Sequence, residues 1–339
     1  MAPHLNIAVE EPSQVGEARR AAVRLAGELG FDEVASGRVA IVVTELGTNL
    51  ARHAKRGRLL IGPSALGEDS AIDVLSLDHG PGMDVSRCLR DGFSTSGTPG
   101  TGLGAVQRLA QQFSVHSVVG DGTVSVARIA ARSDGGNGAG RDPLRPPAFA
   151  IGAICLAAPG ETTSGDGWRS RQRGHRAQLM VADGLGHGPV AAEASDAALS
   201  VFDKREDSSP SQIIEHAHLA MRSTRGAAVA VVELDAEAGT VVFSGAGNIA
   251  GRLISGVEDR SLLSQHGTVG LQIRRLQDVR HAWADHAVLV LHSDGIVSRW
   301  SVPHAAGLLQ CDPAVIAGWL IRDHLRGRDD ATVVVVRRS

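Results

Sequence analysis

Tyrosine is absent from the 339 residues, and phenylalanine and tryptophan together supply only 3% of them. So few aromatics leave no base-stacking platform for single-stranded nucleic acid. Cysteine is scarce too: Cys88, Cys155 and Cys311 stand far apart and form no C-x-x-C pair. That excludes a disulfide framework and a thiolate zinc site, and it fits a reducing cytoplasm. Neither charge sign is in excess, because 34 Lys and Arg stand against 37 Asp and Glu for a net −3. No electrostatic footprint for DNA or RNA is therefore predicted. The cluster Arg52, Lys55, Arg56 and Arg58 reads as a solvated helix end. No apolar run reaches the length of a membrane helix, and MAPHLNIAVEEPSQ lacks the basic and apolar regions of a secretory signal. A cytoplasmic protein with no nucleic-acid or membrane partner is expected.

What is present describes a globular chain: 43% apolar and 21% charged residues. The sharpest shift in composition is SDGGNGAGRDPLRPP, residues 133–147, where Gly, Asn, Asp and Pro displace any hydrophobic period. It predicts a linker between domains 1–132 and 148–339, both of ordinary size. In the first, LNIAV reads as a strand, Ser13 as the cap of a helix with apolar Val15, Ala18, Ala22 and Leu25, and 32–54 as a second helix. Strands at 58–62 and 71–80 follow, then a glycine-rich loop, a helix from about Gly104 to Phe113, and a hairpin around Gly120-Asp-Gly. The fold class is α+β, with a mixed sheet carrying helices on one face. In the second, strand pairs and grouped helices (189–202, 211–223, 313–325) predict a β-sandwich flanked by helices.

Three motifs in the first domain carry chemistry. In TELGTNLARH, Glu45, Asn49 and His53 recur every four residues and share one helix face. A carboxamide oxygen there can hold magnesium, and the carboxylate can take a proton from an attacking hydroxyl; an exposed polar stripe is the plainer alternative. In DHGPGMD, Gly80 and Gly82 permit a tight turn, and Asp78 at a strand end can accept the exocyclic amine of adenine. In GTPGTGLGAV, backbone amides running into a helix offer an anion site. No Gly-Lys-Ser/Thr follows, which excludes a Walker loop, and no β-α-β unit surrounds it, which excludes a Rossmann turn.

In this order the motifs make residues 1–132 resemble the GHKL (Bergerat-fold) ATP-binding module, specifically the RsbT-like switch kinases and their anti-sigma relatives. The resemblance implies that Glu45 is the catalytic base and Asn49 the magnesium ligand. It further implies an ATP site completed by Asp78, Gly80 and Gly82 and by the run Gly100, Thr101, Gly102, Leu103 and Gly104. ATP and Mg²⁺ are its expected cofactors.

The second domain places acidic residues where strands end: Asp166 in SGDGW, Asp183 in VADGLGHG, Asp294 in HSDGI and Asp329 in RDDATV. One Asp-Gly is an ordinary turn. Apolar runs ending twice in Asp-Gly, however, bury carboxylates that call for a counter-charge, and a pair of divalent cations supplies it. A water between two such ions loses its proton more readily and can attack phosphorus. This set is similar to the SpoIIE branch of the PPM metal-dependent serine/threonine phosphatases, in the compact form of RsbX. The resemblance implies two Mn²⁺ or Mg²⁺ ions, with Asp183 shared between them and the Gly184 carbonyl a further ligand. Asp166 would serve one ion, and Asp294 and Asp329 the other; the family's last motif favours Asp329 over Asp330. Ser164 stands where the family commonly has glycine, in the segment that precedes Asp166. His187 and His292 read as hydrogen-bond partners, and Trp168, Trp283, Trp300 and Trp319 as core.

The expected function is a bacterial partner-switching regulator that joins an ATP-dependent serine/threonine kinase to a metal-dependent phosphoprotein phosphatase. By resemblance its partners are STAS-domain anti-anti-sigma or stressosome-type proteins, with sigma-regulatory proteins beyond them. Two alternatives stand beside it: a phosphatase fused to a non-catalytic ATP-binding anti-sigma module, and a scaffold with an inactive phosphatase.

Overall fold

The computed structural model describes residues 2–65, 71–88, 102–131, 147–302 and 307–339. These group into two units, one made of residues 4–141 with 314–322 and the other of 1–3, 142–313 and 323–339. All but the last residue of the expected linker lies outside the described residues.

In the first unit, strand β1 (Leu5–Ala8) leads into helix α1 (Pro12–Glu28). Glu11 caps this helix, and its backbone N–H donates to Gln14 Oε1 at 2.9 Å. Pro12, which has no N–H to lose, opens the first turn. The expected cap, Ser13, already lies inside that turn. Helix α2 (Glu33–His53) begins on Asp32, whose carboxylate accepts from Ala35 N–H at 2.7 Å. Strands β2 (Arg58–Pro63) and β3 (Ala71–Asp78), the short α3 (Val85–Cys88), α4 (Gly102–Leu109), β4 (Gln112–Val118) and β5 (Gly122–Ala130) complete it. The expected helix over 104–113 is therefore earlier and shorter, because Phe113 pairs with Ala127 in the sheet instead.

The strand order is β1-β2-β3-β5-β4, and every pairing in it is antiparallel where the sequence suggested a mixed sheet. β1 and β2 are joined through α1 and α2, and β4 and β5 by a tight turn, and both pairs lie antiparallel with no parallel crossover. One sheet face, with Leu59, Ile61, Ile72, Val74, Ala127 and Ile129, packs on Val39, Val43, Leu46 and Leu50 of α2. Alternation sends Asp73, Leu75 and Leu77 to the opposite face, which was expected to carry no helix. There Arg128 donates to both carboxylate oxygens of Asp73, at 2.7 and 3.0 Å, with both side chains buried. Asp73→Ala would remove the carboxylate from this buried guanidinium, leaving its bonds to Ser64 Oγ and Gln112 Oε1, and is expected to cost about 3 kcal/mol of stability, read by chemical denaturation.

The second unit contains β6 (Phe149–Leu156), β7 (Asp166–Arg173), β8 (Arg176–Gly184), α5 (Pro189–Lys204), α6 (Pro210–Ala220), β9 (Ala227–Asp235) and β10 (Thr240–Ala246). After these come β11 (Ala250–Ile254), β12 (Asp259–Leu262), the two-residue β13 (Gly267–Thr268) and β14 (Gln272–Ile273), β15 (Val279–Ala282) and β16 (Val288–His292). Helix α7 (Pro313–His324), whose residues 314–322 belong to the first unit, and β17 (Ala331–Arg338) of the second end the chain. Two five-stranded antiparallel sheets result, β15-β10-β9-β8-β7 and β12-β11-β16-β17-β6. Helices α5 and α6 bury Ala194, Ala198, Phe202, Ile213, Ile214 and Ala217 with Met180, Ala182, Val229 and Val231 of the first sheet. Burying such side chains contributes about 1.5–3 kcal/mol for each large one. All four tryptophans are buried, as expected. Among the described residues no helix is long and apolar enough to cross a membrane.

Candidate functional site

The first unit gathers its motifs around α2. The helix turns Val42, Val43, Leu46 and Leu50 into the core, which leaves Glu45 and Asn49 half-buried one turn apart. Gly102, the first residue of α4, lies against both: a Cβ there would stand 3.7 Å from Glu45 Oε2 and 3.8 Å from Asn49 Nδ2. Leu103 packs on the core behind it, and Gly104 follows in the same turn. Gly100 and Thr101 lie outside the described residues. At the end of β3, Asp78 Oδ1 accepts from Gly80 N–H at 2.6 Å, and a Cβ on Gly80 would stand 3.0 Å from the His53 carbonyl at the close of α2. Gly82 has φ +68°, and any side chain there would meet the Val118 carbonyl, so the turn requires glycine. Burial raises the Asp78 carboxyl above its ordinary range, opposed first by the Gly80 N–H and then by Arg322.

The second unit brings its carboxylates together at strand ends. Asp166 and Asp183 are directly opposite in the β7–β8 pairing. Gly184 closes β8 and abuts the Ala191 backbone at the start of α5, a contact that leaves no room for a side chain. Asp294 follows β16 and Asp329 precedes β17, and these two strands are neighbours. Ser293 Oγ donates to Asp166 Oδ2 at 2.6 Å while accepting from Thr332 N–H at 2.9 Å, which ties the two sheets at the site. Asn248 Nδ2 donates to Asp294 Oδ2 at 2.7 Å.

Burial, then the charges of Asp294 and Asp329, push the Asp183 carboxyl up to about 7. Burial, then Asp183, holds Asp166 well above the carboxylate range. Among the described residues no three potential ligands stand at the spacing of a finished coordination shell. The donor chemistry nonetheless fits hard cations: oxygen ligands only, mutually repelling, with no lysine or arginine among the groups that shift Asp183. The histidines are otherwise engaged. His187 Nδ1 pairs with Glu161 Oε1 at 3.0 Å. Buried His292 has Nδ1 on the Ser293 carbonyl at 2.8 Å, and its Nε2 accepts from Trp300 Nε1 at 3.1 Å.

Sequence reasoning did not find Ser293, Asn248 or the role of Asp330. Asp330 is buried, and its two oxygens accept from Ala158 N–H and Gly165 N–H, each at 2.8 Å. It thus pins the loop that delivers Asp166, while Asp329 beside it is half-exposed. The doubled acid in RDDATV was the available signal. Asp330→Ala would orphan two buried amides at about 1–3 kcal/mol each. Its melting temperature is expected to fall well below those of the wild type and Asp329→Ala.

Comparison with known proteins gives independent readings of both halves. Residues 8–129 match the family described as Histidine kinase-like ATPase domain, and residues 173–339 match Stage II sporulation protein E (SpoIIE). The second match contains Asp183, Gly184, Asp294 and Asp329, and begins after Asp166. The chain is 38% identical over 107 residues to "Serine/threonine-protein kinase RsbT" of Bacillus subtilis (strain 168), covering 31% of this chain and 80% of that one. A solved structure from work on the bacterial stressosome, a modular system adapted to control secondary messenger signaling, matches with TM-score 0.52 and 26% identity, over 56% of this chain and 99% of that one. RsbX in complex with magnesium matches with TM-score 0.50 and 21% identity, over 56% and 96%, a likeness of fold.

Proposed function

The chain belongs to the family of serine/threonine-protein kinase RsbT through its N-terminal part and carries a SpoIIE-type serine/threonine phosphatase domain after it, and on that premise we propose that it sets the phosphorylation state of a STAS-domain partner from both sides. The domain limits that go with this reading are 1–132 and 148–339, joined by the linker 133–147. The observation that carries it is the gathering of acids at strand ends: Asp166 lies opposite Asp183 in the β7–β8 pairing, and Ser293, next to Asp294, bonds to Asp166.

In the kinase half, Glu45 takes the proton of the attacking serine or threonine hydroxyl, and Asn49 holds the magnesium of ATP. The N–H groups at the start of α4 receive the phosphates, and Asp78 accepts the adenine amine. In the phosphatase half, Asp166, Asp183, the Gly184 carbonyl, Asp294 and Asp329 hold two Mn²⁺ or Mg²⁺ ions. When bound, the pair supplies an activated water and offsets charge on the phosphate. Ser293 and Asn248 orient Asp166 and Asp294. The protein acts in the cytoplasm, on anti-anti-sigma or stressosome-type partners.

The test uses the purified 339-residue chain with a serine-phosphorylated STAS-domain protein. Phosphate release with Mn²⁺, stopped by chelation, supports the phosphatase half; no release under either Mn²⁺ or Mg²⁺ would overturn it.

A further inference from the structure

The nucleotide unit contains a segment from the far end of the chain, residues 314–322 of α7. It lies on the sheet face away from α1 and α2. A Cβ on Gly318 would stand 3.0 Å from Val124 Cγ1, 3.1 Å from Leu75 Cδ2 and 3.2 Å from Leu77 Cδ2, so the helix backbone rests directly on the ends of β3 and β5. Four residues on, and so on the same helix face, is Arg322. Its guanidinium is buried and donates to the Asp78 carbonyl oxygen at 3.3 Å and to an Asp121 carboxylate oxygen at 3.1 Å.

Asp78 is thereby held from two directions. Arg322 grips its backbone at the last rung of β3, where Asp78 pairs with Thr123, and the Gly80 N–H grips its side chain at 2.6 Å. A buried guanidinium beside the half-buried Asp78 carboxylate also favours its ionised form, against the effect of burial.

We propose that Arg322 is a positioning residue of the nucleotide site, holding the end of β3 so that the Asp78 carboxylate discriminates adenine from guanine. This inference rests on the reading of Asp78 as the adenine acceptor. It means that the ATP-binding unit is completed by a segment lying just ahead of Asp329, and residues 4–141 alone form an incomplete nucleotide site. Arg322 acts on the site through Asp78.

The experiment measures Mg-ATP and Mg-GTP dissociation constants by calorimetry on the 339-residue wild type, Arg322→Met, Arg322→Lys and Asp121→Ala. A hydrogen bond from a charged donor is worth about tenfold or more. Arg322→Met is expected to weaken ATP by that factor and GTP by less than about threefold, and so to lower the ATP/GTP preference. Arg322→Lys, which keeps a charged donor, restores part of it. Asp121→Ala, which loosens Arg322 from an exposed position, lowers the preference by a smaller factor and decides the matter should Arg322→Met not fold. A wild-type ATP/GTP preference in the folded variants overturns the inference alone. A wild type that binds neither nucleotide overturns the nucleotide reading and this inference with it.

Discussion

Asp183→Asn is expected to lower phosphatase turnover by about a thousandfold or more, since a metal pair supplies several kcal/mol of the catalytic effect. The substitution keeps shape and removes the one carboxylate on which the fields of Asp294 and Asp329 converge. Its second signature concerns stability without metal. The Asp183 carboxyl rises from an ordinary 3.8 to about 7 in the folded protein. A carboxyl raised on folding is favoured while protonated, so its contribution is fully present below about pH 4 and is lost as pH rises through about 7. Metal-free wild type therefore carries a repulsive charge at pH 8 that the asparagine variant lacks. The variant's melting temperature is expected to exceed the wild type's by roughly a few degrees at pH 8, with the difference narrowing at pH 5 and closing below about pH 4. Added Mn²⁺ should reverse the order at pH 8 by stabilising the wild type alone. Paired melting scans with and without chelator read all three outcomes.

Glu45→Ala is expected to reduce phosphoryl transfer from ATP to a STAS-domain protein by roughly 10²–10⁴, the span of a positioned general base. Nucleotide affinity should change little, because Glu45 serves the attacking hydroxyl and not the phosphates. Asn49→Ala should do the reverse, weakening ATP binding and its magnesium dependence. The two side chains lie one turn apart against the same glycine at the head of α4, so a general disturbance of this surface would affect both variants alike. Divergent effects on transfer and on binding therefore separate a base from a metal ligand. An unchanged transfer rate in Glu45→Ala would instead favour a nucleotide-binding module that does not turn over.

Much of this was legible in the sequence where a period or a strand end forced it. The four-residue spacing of Glu45 and Asn49 places both on one face of α2, and apolar runs ending in Asp-Gly locate Asp183 and Asp294. Placement of separate segments was not legible. The sequence PAVIAGWLIRDHL reads as a helix, and its apolar first nine residues do not say what covers them. Its central residues belong with the first unit, where Gly318 meets Leu75, Leu77 and Val124. Local ambiguities also went to tertiary pairing: Phe113 continues a helical pattern yet is claimed by Ala127 across the sheet. The division of labour between Asp329 and Asp330 depends on the amides of Ala158 and Gly165, far away in sequence. No pattern within RDDATV encodes that distance.

The central claim is that one chain holds two opposed phosphoryl-transfer sites, and a single time course tests it most directly. Wild type, Asn49→Ala and Asp183→Ala are incubated with a STAS-domain partner, ATP and Mn²⁺, and the phosphorylated fraction of the partner is followed. The expected result is that Asp183→Ala drives the fraction above the wild-type level and Asn49→Ala drives it below. A fraction that neither substitution alters would contradict both site assignments and the function drawn from them.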